Sequence, residues 1–434
     1  MKKIFQYIML AVVTIVMASC TSDIEETTAT TGKNNVQLVV GEFPAFGDSQ
    51  TRAIGTPDEG KTSWAEGDEL LLEMTSKTLG TKYAAFKYNG SNWELASGEL
   101  SYKEDEVPTF PHVYYAPNYK WEAGKLVLKE GKVAGTDEYI EGKANITPNG
   151  EAITVKFAEA TRNYSRLRIA TMPNKPITVS INQYTPAGSS DMKWDQNYAL
   201  TSDEKGNAYL YGTFENNSEV TVKYREAALT THTFSQATES AKSYALDATV
   251  VSLTDEGITY DQIVEDVKKE LYAGKTYINL ILAPDADENT FDAIHFGLED
   301  ARYGSINLTL IGCKKIPSGG FMYWKMLKSI ALPDVTEIAE KAFSACTRLQ
   351  KVVLGNLTKV YGKAGEKGIF DGCRTKDIDL VLSKDQKVMN GGKTEGGYCW
   401  IADIAKDYSG SDEHNGRVFL DYDFQSITCD YQVP

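Results

Sequence analysis

Three segments align without a gap at a spacing of 22 residues: "LTLIGCKKI" at 308–316, "IALPDVTEI" at 330–338 and "VVLGNLTKV" at 352–360. Phe321 and Phe343 keep that spacing, and Phe370 follows 27 residues later, with "GKAGE" at 362–366 accounting for the extra five. "IDLVL" at 378–382 opens a further unit, and upstream "YINLILA" and "SINLTLIG" share Ile-Asn-Leu-x-Leu 28 residues apart. A period of this length constrains the fold strongly. One such unit is too small to bury its own apolar strand face, so units must stack around a continuous core as a solenoid. Alternation along each strand sends Leu308/Leu310, Ile330/Leu332, Val352/Leu354 and Ile378/Leu380 inward. Asn307, Thr309, Ser329, Ala331, Lys351 and Val353 are then left on the outer sheet surface, the candidate ligand face.

Ahead of the repeats, "TYDQIVEDVKKELYAG" carries Ile263, Val264, Val267 and Leu271 at helical spacing, with Thr259 and Gln262 as a capping box and Gly274 as the stop. A second helical stretch is expected from about 290 to 301. The segment "LPDVTEIAEKAFSACTRLQKVVL" closely resembles BspA-type leucine-rich repeats, whose core I-x-x-x-A-F-x-x-C-x-x-L is filled by Ile338, Ala342, Phe343, Cys346 and Leu349. Val360, Phe370 and Cys373 match in the next unit, whereas Lys376 stands where the repeat has Leu, which makes that unit the last regular one. "VFLDYDFQSIT" at 418–428 is then read as part of a terminal cap. The resemblance implies an α/β leucine-rich-repeat solenoid of the kind that binds host matrix proteins or other cells.

From Val36 to about Leu253 the chain has a different grammar. Short apolar segments such as "VQLVV", "ELLLEM", "YAAFKY", "HVYYA", "AITVKF", "AYLYGTF" and "VTVKY" recur between turn clusters, and "KYNGSNWEL" reads as a hairpin turning at Asn89-Gly90. Many short strands with little helix between them imply antiparallel β-sandwiches. "TRA" at 51–53, "SWAEGDELLL" at 63–72, "FKYNGSNWEL" at 86–95 and "VYYAPN" at 113–118 together resemble the fimbrillin-type surface lipoproteins of Bacteroidetes. That resemblance implies two transthyretin-like sandwiches and a role in fimbriae or cell adhesion. It also implies a maturation cut after an Arg near the N-terminus, for which Arg52 is the candidate. Trp64, Trp93, Tyr114 and Tyr115 are read as core-packing residues.

The first residues carry an address. Lys2 and Lys3 precede an apolar run from Ile4 to Met17, and Ala18 and Ser19 precede Cys20. This is a secretory signal too short to span a bilayer as a helix. A Cys after small residues resembles a bacterial lipobox, which implies lipidation of Cys20, and the acidic cluster Asp23, Glu25, Glu26 looks like a Bacteroidetes surface-export signal. The expected location is the outer membrane at the cell surface, held by an N-terminal lipid. Cleavage before Cys20 leaves 43 basic against 60 acidic side chains, a net charge of −17. Such a surface repels the phosphates of nucleic acid.

Little in the chain suggests catalysis. "GTPDEGKT" at 55–62 satisfies the phosphate-loop pattern, but polar residues precede it, a strand-like segment follows it, and Pro57, Asp58 and Glu59 oppose phosphate binding. No nucleotide, cofactor or metal is therefore expected. His112, His232, His295 and His414 lack a ligand partner at i+3 or i+4. "DADENTFDAIHF" begins like a calcium loop with Asp285, Asp287 and Asn289 but has Thr290 and Phe296 where Gly and Glu belong, so it reads as a helix-capping loop. Cys313, Cys346, Cys373, Cys399 and Cys429 include no C-x-x-C pair, and Cys346 and Cys373 read as core thiols.

The expected organisation is a signal peptide at 1–19, a lipidated tether at 20–35, sandwiches at 36–159 and 160–253, and a repeat domain with terminal caps at 254–434. The expected function is adhesion to a protein partner, on the host or in a fimbria, as a stand-alone adhesin or a fimbrial tip rather than an enzyme. The alternative is a glycan-binding lipoprotein of a polysaccharide uptake system, binding on an aromatic platform.

Overall fold

The computed structural model describes residues 36–44, 46, 60–103, 106–146, 152–362, 368–383, 392–394, 397–399, 418–420 and 422–431. The protein is mainly β, with two α-helices among the described residues.

The first nine strands are β1 (Gln37–Val40), β2 (Glu69–Ser76), β3 (Gly80–Tyr88), β4 (Trp93–Gly98), β5 (Thr109–Tyr115), β6 (Tyr119–Glu122), β7 (Lys125–Leu128), β8 (Ile140–Ile146) and β9 (Ala152–Thr161). Seven of them form one sheet in the order β1-β9-β8-β5-β2-β3-β4, antiparallel except for the parallel β1–β9 edge. β1 comes back against β4, so the sheet curls around its core. The triple leucine of β2 shows why this strand reads as a run and not as an alternation. Leu70 and Leu72 enter the inner core with Phe86, Val113 and Tyr115, whereas Leu71 faces outward beneath the β6–β7 hairpin, beside Tyr119 and Trp121. Both faces are covered, so both must be apolar. Trp64 and Trp93 pack edge to face at 5.1 Å against this core, and Tyr115 lies within it. Tyr114 instead lies on the outer face with Trp121. In the hairpin between β3 and β4, Gly90 alone takes positive φ (94°), and the Asn89 side chain accepts from the amides of Ser91 and Asn92.

A second sheet takes over after Thr161. Its strands are β10 (Ser165–Ala170), β11 (Pro176–Pro186), β12 (Lys193–Thr201), β13 (Asn207–Phe214), β14 (Glu219–Tyr224), β15 (Ala227–Thr233) and β16 (Ser243–Asp247). They run in the order β15-β14-β11-β13-β10-β16, with β12 on the free side of β11. β13 and β14 alternate strictly, sending Ala208, Leu210, Phe214, Val220 and Val222 into one core.

The third sheet is wholly parallel. It comprises β17 (Val251–Ser252), β18 (Tyr277–Ile281), β19 (Ile306–Ile311), β21 (Leu327–Leu332), β23 (Lys351–Leu354), β25 (Asp379–Ser383) and β30 (Ser426–Tyr431) in that spatial order. A smaller sheet runs beside it, built from β20 (Lys315–Ile316), β22 (Glu337–Ile338), β24 (Lys359–Val360), β26 (Gly392–Thr394) and β27 (Gly397–Cys399). A short pair, β28 (Val418–Phe419) and β29 (Tyr422–Asp423), precedes β30. The register joins Leu308 to Ile330 and Ile330 to Val352, which is the 22-residue step of the sequence. Between the two sheets, Phe321, Phe343 and Phe370 stack with centroids 5.2 and 5.0 Å apart and interplanar angles of 7° and 10°. The Cys346 Sγ–H donates to the Phe321 carbonyl and the Cys373 Sγ–H to that of Phe343, each at 2.9 Å and each one unit back. Phe424 closes the stack edge-on to Phe370 at 5.3 Å.

Two expectations shift. The first helix spans Tyr260–Tyr272 with the Thr259–Gln262 capping box in place, but the second spans Glu288–Gly297 and not 290–301. It starts earlier because the Asp287 carboxylate caps it, accepting from the Thr290 amide at 3.0 Å. In the last regular unit Leu380, not Ile378, stands opposite Val352. A 3-10 turn at Thr375–Asp377 takes up one residue beyond the five already inserted, and Ile378 is buried just before the strand.

Candidate functional site

The outer face of the parallel sheet carries two rows of side chains, because residues two apart along a strand share a face. One row runs Asn307, Ser329, Lys351, Asp379, Ser426 across β19 to β30. It is polar, with side-chain hydrogen bonds between neighbours at its two ends. The Ser329 hydroxyl donates to Asn307 Oδ1 at 2.7 Å, and the Ser426 hydroxyl donates to Asp379. Asn307 and Ser329 are half-buried and Lys351 is exposed.

The neighbouring row runs Asn279, Thr309, Ala331, Val353, Val381. Its members at Thr309, Ala331 and Val353 are only 1%, 6% and 3% exposed. This corrects the sequence-based face: three of its six residues lie beneath another part of the chain. The cover is the β14–β15 hairpin, whose Ala227 packs on Ala331, Val353 and Val381. The hairpin turns on Arg225 and Glu226, at φ 48° and 63°. Two successive left-handed residues suit the right-handed twist of a tight hairpin, although neither is glycine. The Arg225 guanidinium pairs with the Asp334 carboxylate and stacks 5.0 Å over the Tyr224 ring. Asp334 also accepts from the Gly312 amide at 2.9 Å. Asn279 Nδ2 donates to the carbonyls of Leu229 (2.9 Å) and Thr249 (3.2 Å). An edge strand laid on a sheet face leaves carbonyls unpaired, and this amide satisfies that of Leu229 together with the Thr249 carbonyl between β16 and β17.

Sequence reasoning did not single out Asn279, Arg225 or Asp334. A signal for the first was present: "YINLI" has one polar residue in a strand buried on both faces. A buried amide there must find acceptors from a neighbour.

The other candidates lie elsewhere. Lys61, the lysine of the phosphate-loop pattern, is bound to Asp68 at 2.6 Å and sits over the Phe43 and Tyr115 rings, and the segment after it enters β2 and not a helix. His112 bonds Glu141 at 2.8 Å, His232 packs edge-on to Phe234, and His295 stacks on Trp324 at 4.9 Å. Among the described residues no group of three His, Cys, Asp or Glu could hold a metal ion. Asp287 is the helix cap described above, and the Thr290 hydrogen bonds hold its carboxyl below the usual range. Cys313, Cys346 and Cys373 are free thiols. Burial pushes Cys313 up to about 11, and the neighbouring Cys373 thiol, together with burial, pushes Cys346 well above the ordinary thiol value. Cys313 and Cys346 behave as small core hydrophobes, and the half-buried Cys373 packs against the same core. Cys20, Arg52 and His414 lie outside the described residues, as do the side chains of Cys399 and Cys429.

No family model and no curated protein matches the chain. Among solved structures, the crystal structure of a proposed cell adhesion protein from Bacteroides fragilis aligns over 52% of this chain and 95% of its own, with a TM-score of 0.28 and 11% identity. A superposition that loose does not establish a shared fold.

Proposed function

We propose that this chain is a lipid-anchored adhesion protein of the outer cell surface. In this reading it holds a BspA-type leucine-rich-repeat unit on two fimbrillin-like sandwiches and acts by binding a protein partner, without catalysis or cofactor. One observation carries the reading. The chain covers the row of Thr309, Ala331 and Val353 with its own hairpin and leaves the adjoining polar row partly open, with Asn307 and Ser329 half-buried and Lys351 exposed. A flat array of hydrogen-bonding side chains on a rigid stack of strands suits a protein surface. The lipobox reading makes Cys20 the anchor, and Arg52 is the candidate maturation site.

The test is adhesion of cells displaying the protein to immobilised host matrix proteins. Asn307→Arg with Ser329→Arg places two bulky cations on the row and should abolish attachment while the protein stays on the surface. Attachment equal to wild type would remove the row from the function. Cys20→Ala should release the protein from the membrane fraction or block its processing.

A further inference from the structure

The chain as a whole has 45 basic and 60 acidic side chains, yet from Arg302 to Tyr361 it has nine basic and three acidic ones. Two of those acids are neutralised locally. Asp334 is held by Arg225 and Lys314, and Glu337 lies 3.5 Å from Lys359. The surplus cations collect where the chain enters successive parallel strands. Arg302 precedes β19, Lys325 and Lys328 flank the start of β21, and Arg348 and Lys351 do so at β23. All five are exposed, and among the described residues none has an ion-pair partner.

Backbone pairing brings these residues into one strip. The Gly304 amide donates to the Lys325 carbonyl at 2.9 Å, and the Gln350 amide donates to that of Lys328 at 2.8 Å. The Arg348 side chain lies over Gly304, where a β-carbon would meet its Cβ at 3.2 Å. Neighbouring strands are ~4.8 Å apart, so charges from consecutive units run in line. Two tyrosines join them. Tyr303 is 64% exposed, with the Lys325 ammonium 6.0 Å from its ring centroid, and Tyr323 is 60% exposed. Tyr323 holds φ 67° at a position where the following units have Ala345 at 60° and Gly372 at 78°. That backbone conformation disfavours a bulky side chain. The strain lies in the Tyr323 backbone, and its exposed ring contributes little to the core.

We propose that this strip binds an acidic polysaccharide. Successive carboxylate or sulfate groups would meet Arg302, Lys325, Lys328, Arg348 and Lys351, while the C–H faces of sugar rings stack on Tyr303 and Tyr323. The match is one of charge: so acidic a surface repels a polyanion on the whole, whereas this strip attracts it. Exposed rings separate a glycan from a plain polyphosphate, which has no apolar face. The strip shares Lys351 with the polar row, but its test does not depend on whether that row binds a protein.

The experiment measures binding of the full chain to heparin and to polygalacturonate at rising salt, with neutral dextran, inorganic polyphosphate and single-stranded DNA as comparisons. Retention of the acidic glycans, weakened by salt, is expected. Lys325→Glu with Arg348→Glu should weaken it by about tenfold or more, since each lost contact also reduces counterion release. If that pair does not fold, Lys325→Gln with Arg348→Gln should still weaken binding severalfold. Tyr303→Ala should weaken glycan binding by roughly two- to fivefold and leave polyphosphate binding unchanged. Heparin binding that survives the charge changes would overturn the proposal. So would DNA or polyphosphate bound as tightly as the glycans with no effect of Tyr303→Ala, which would indicate a general polyanion attraction.

Discussion

Arg225 and Asp334 are 109 positions apart in the chain, and their ion pair fastens the tip of a hairpin in the second sheet onto the face of the third. The carboxylate is 11% exposed and the guanidinium 24%, so the pair is largely withdrawn from water. Charges so placed lose hydration and recover it through the partner and additional hydrogen bonds. Here Asp334 has the Gly312 amide and Lys314, and Arg225 has the Tyr224 ring. The pair fixes where the hairpin lands, and the landing decides which part of the repeat face stays open.

Removing either partner should therefore loosen the cover. Arg225→Ala is expected to destabilise the protein by about 1–3 kcal/mol in chemical unfolding, the range for hydrogen bonds to charged groups. Hydrogen exchange of Ala227 and Leu229 should accelerate in parallel. A double variant with Asp334→Ala should cost less than the two single changes summed. Strict additivity would mean that the two side chains contribute independently.

Phe343 sits in the middle of the ring stack, with a neighbour above and below. It is fully buried. Phe343→Ala would open a cavity that the flanking rings cannot fill, and a loss of about 3–5 kcal/mol is expected. Phe343→Leu, which keeps most of the volume, should lose clearly less. Denaturant midpoints at unchanged slope distinguish a stability effect from a change in cooperativity.

The repeat was legible because period and identity agree. The same residue types at Leu308, Ile330 and Val352 do the same job, and each strand needs only its neighbours to be understood. The first two sheets were legible as β and less so as faces. Leu70 to Leu72 looks like one apolar run, and only the β6–β7 hairpin explains why Leu71 is apolar too. The candidate ligand face failed at Thr309, Ala331 and Val353 for a similar reason. Small residues on an outer sheet face suit open water and close cover equally, and the hairpin that covers them lies about a hundred residues earlier. The charge strip was visible in the sequence as a change of composition, but its convergence at Gly304 comes from backbone pairing across units.

Lys275 ties the end of the second sheet to the first helix. Its ammonium lies 2.9 Å from Asp247 and 2.6 Å from Glu270. Burial acts to raise the Asp247 pKa, but hydrogen bonds from Thr249 and Lys275 outweigh it and the net shift is downward. A carboxylate depressed in the folded state stabilises at pH above its unfolded value, about 3.9, and that stability is lost as pH falls through the folded value. Lys275→Met should therefore destabilise the protein near neutrality and flatten its loss of stability below about pH 4. Urea titrations of both forms across that range check the sign. A parallel offset at every pH would show that the Lys275 stem, and not its charge, matters.

The docked hairpin also bears on how the chain can be divided. Residues 254–434 expressed alone would lose Ala227 from the patch formed by Ala331, Val353 and Val381, and Asn279 would lose the acceptors at Leu229 and Thr249. An uncovered apolar row should promote self-association. The isolated fragment is expected to elute as oligomers and bind a hydrophobic dye. Val353→Asp should then act in opposite directions in the two contexts. In the fragment it places a charge in solvent and restores a monomer. In the full chain it buries an unpaired carboxylate under the hairpin and should cost roughly 2–5 kcal/mol. Size-exclusion profiles and unfolding midpoints for both lengths decide the matter. A monomeric fragment, indifferent to Val353→Asp and as stable as the full chain, would show that the hairpin rests on this face without contributing to it.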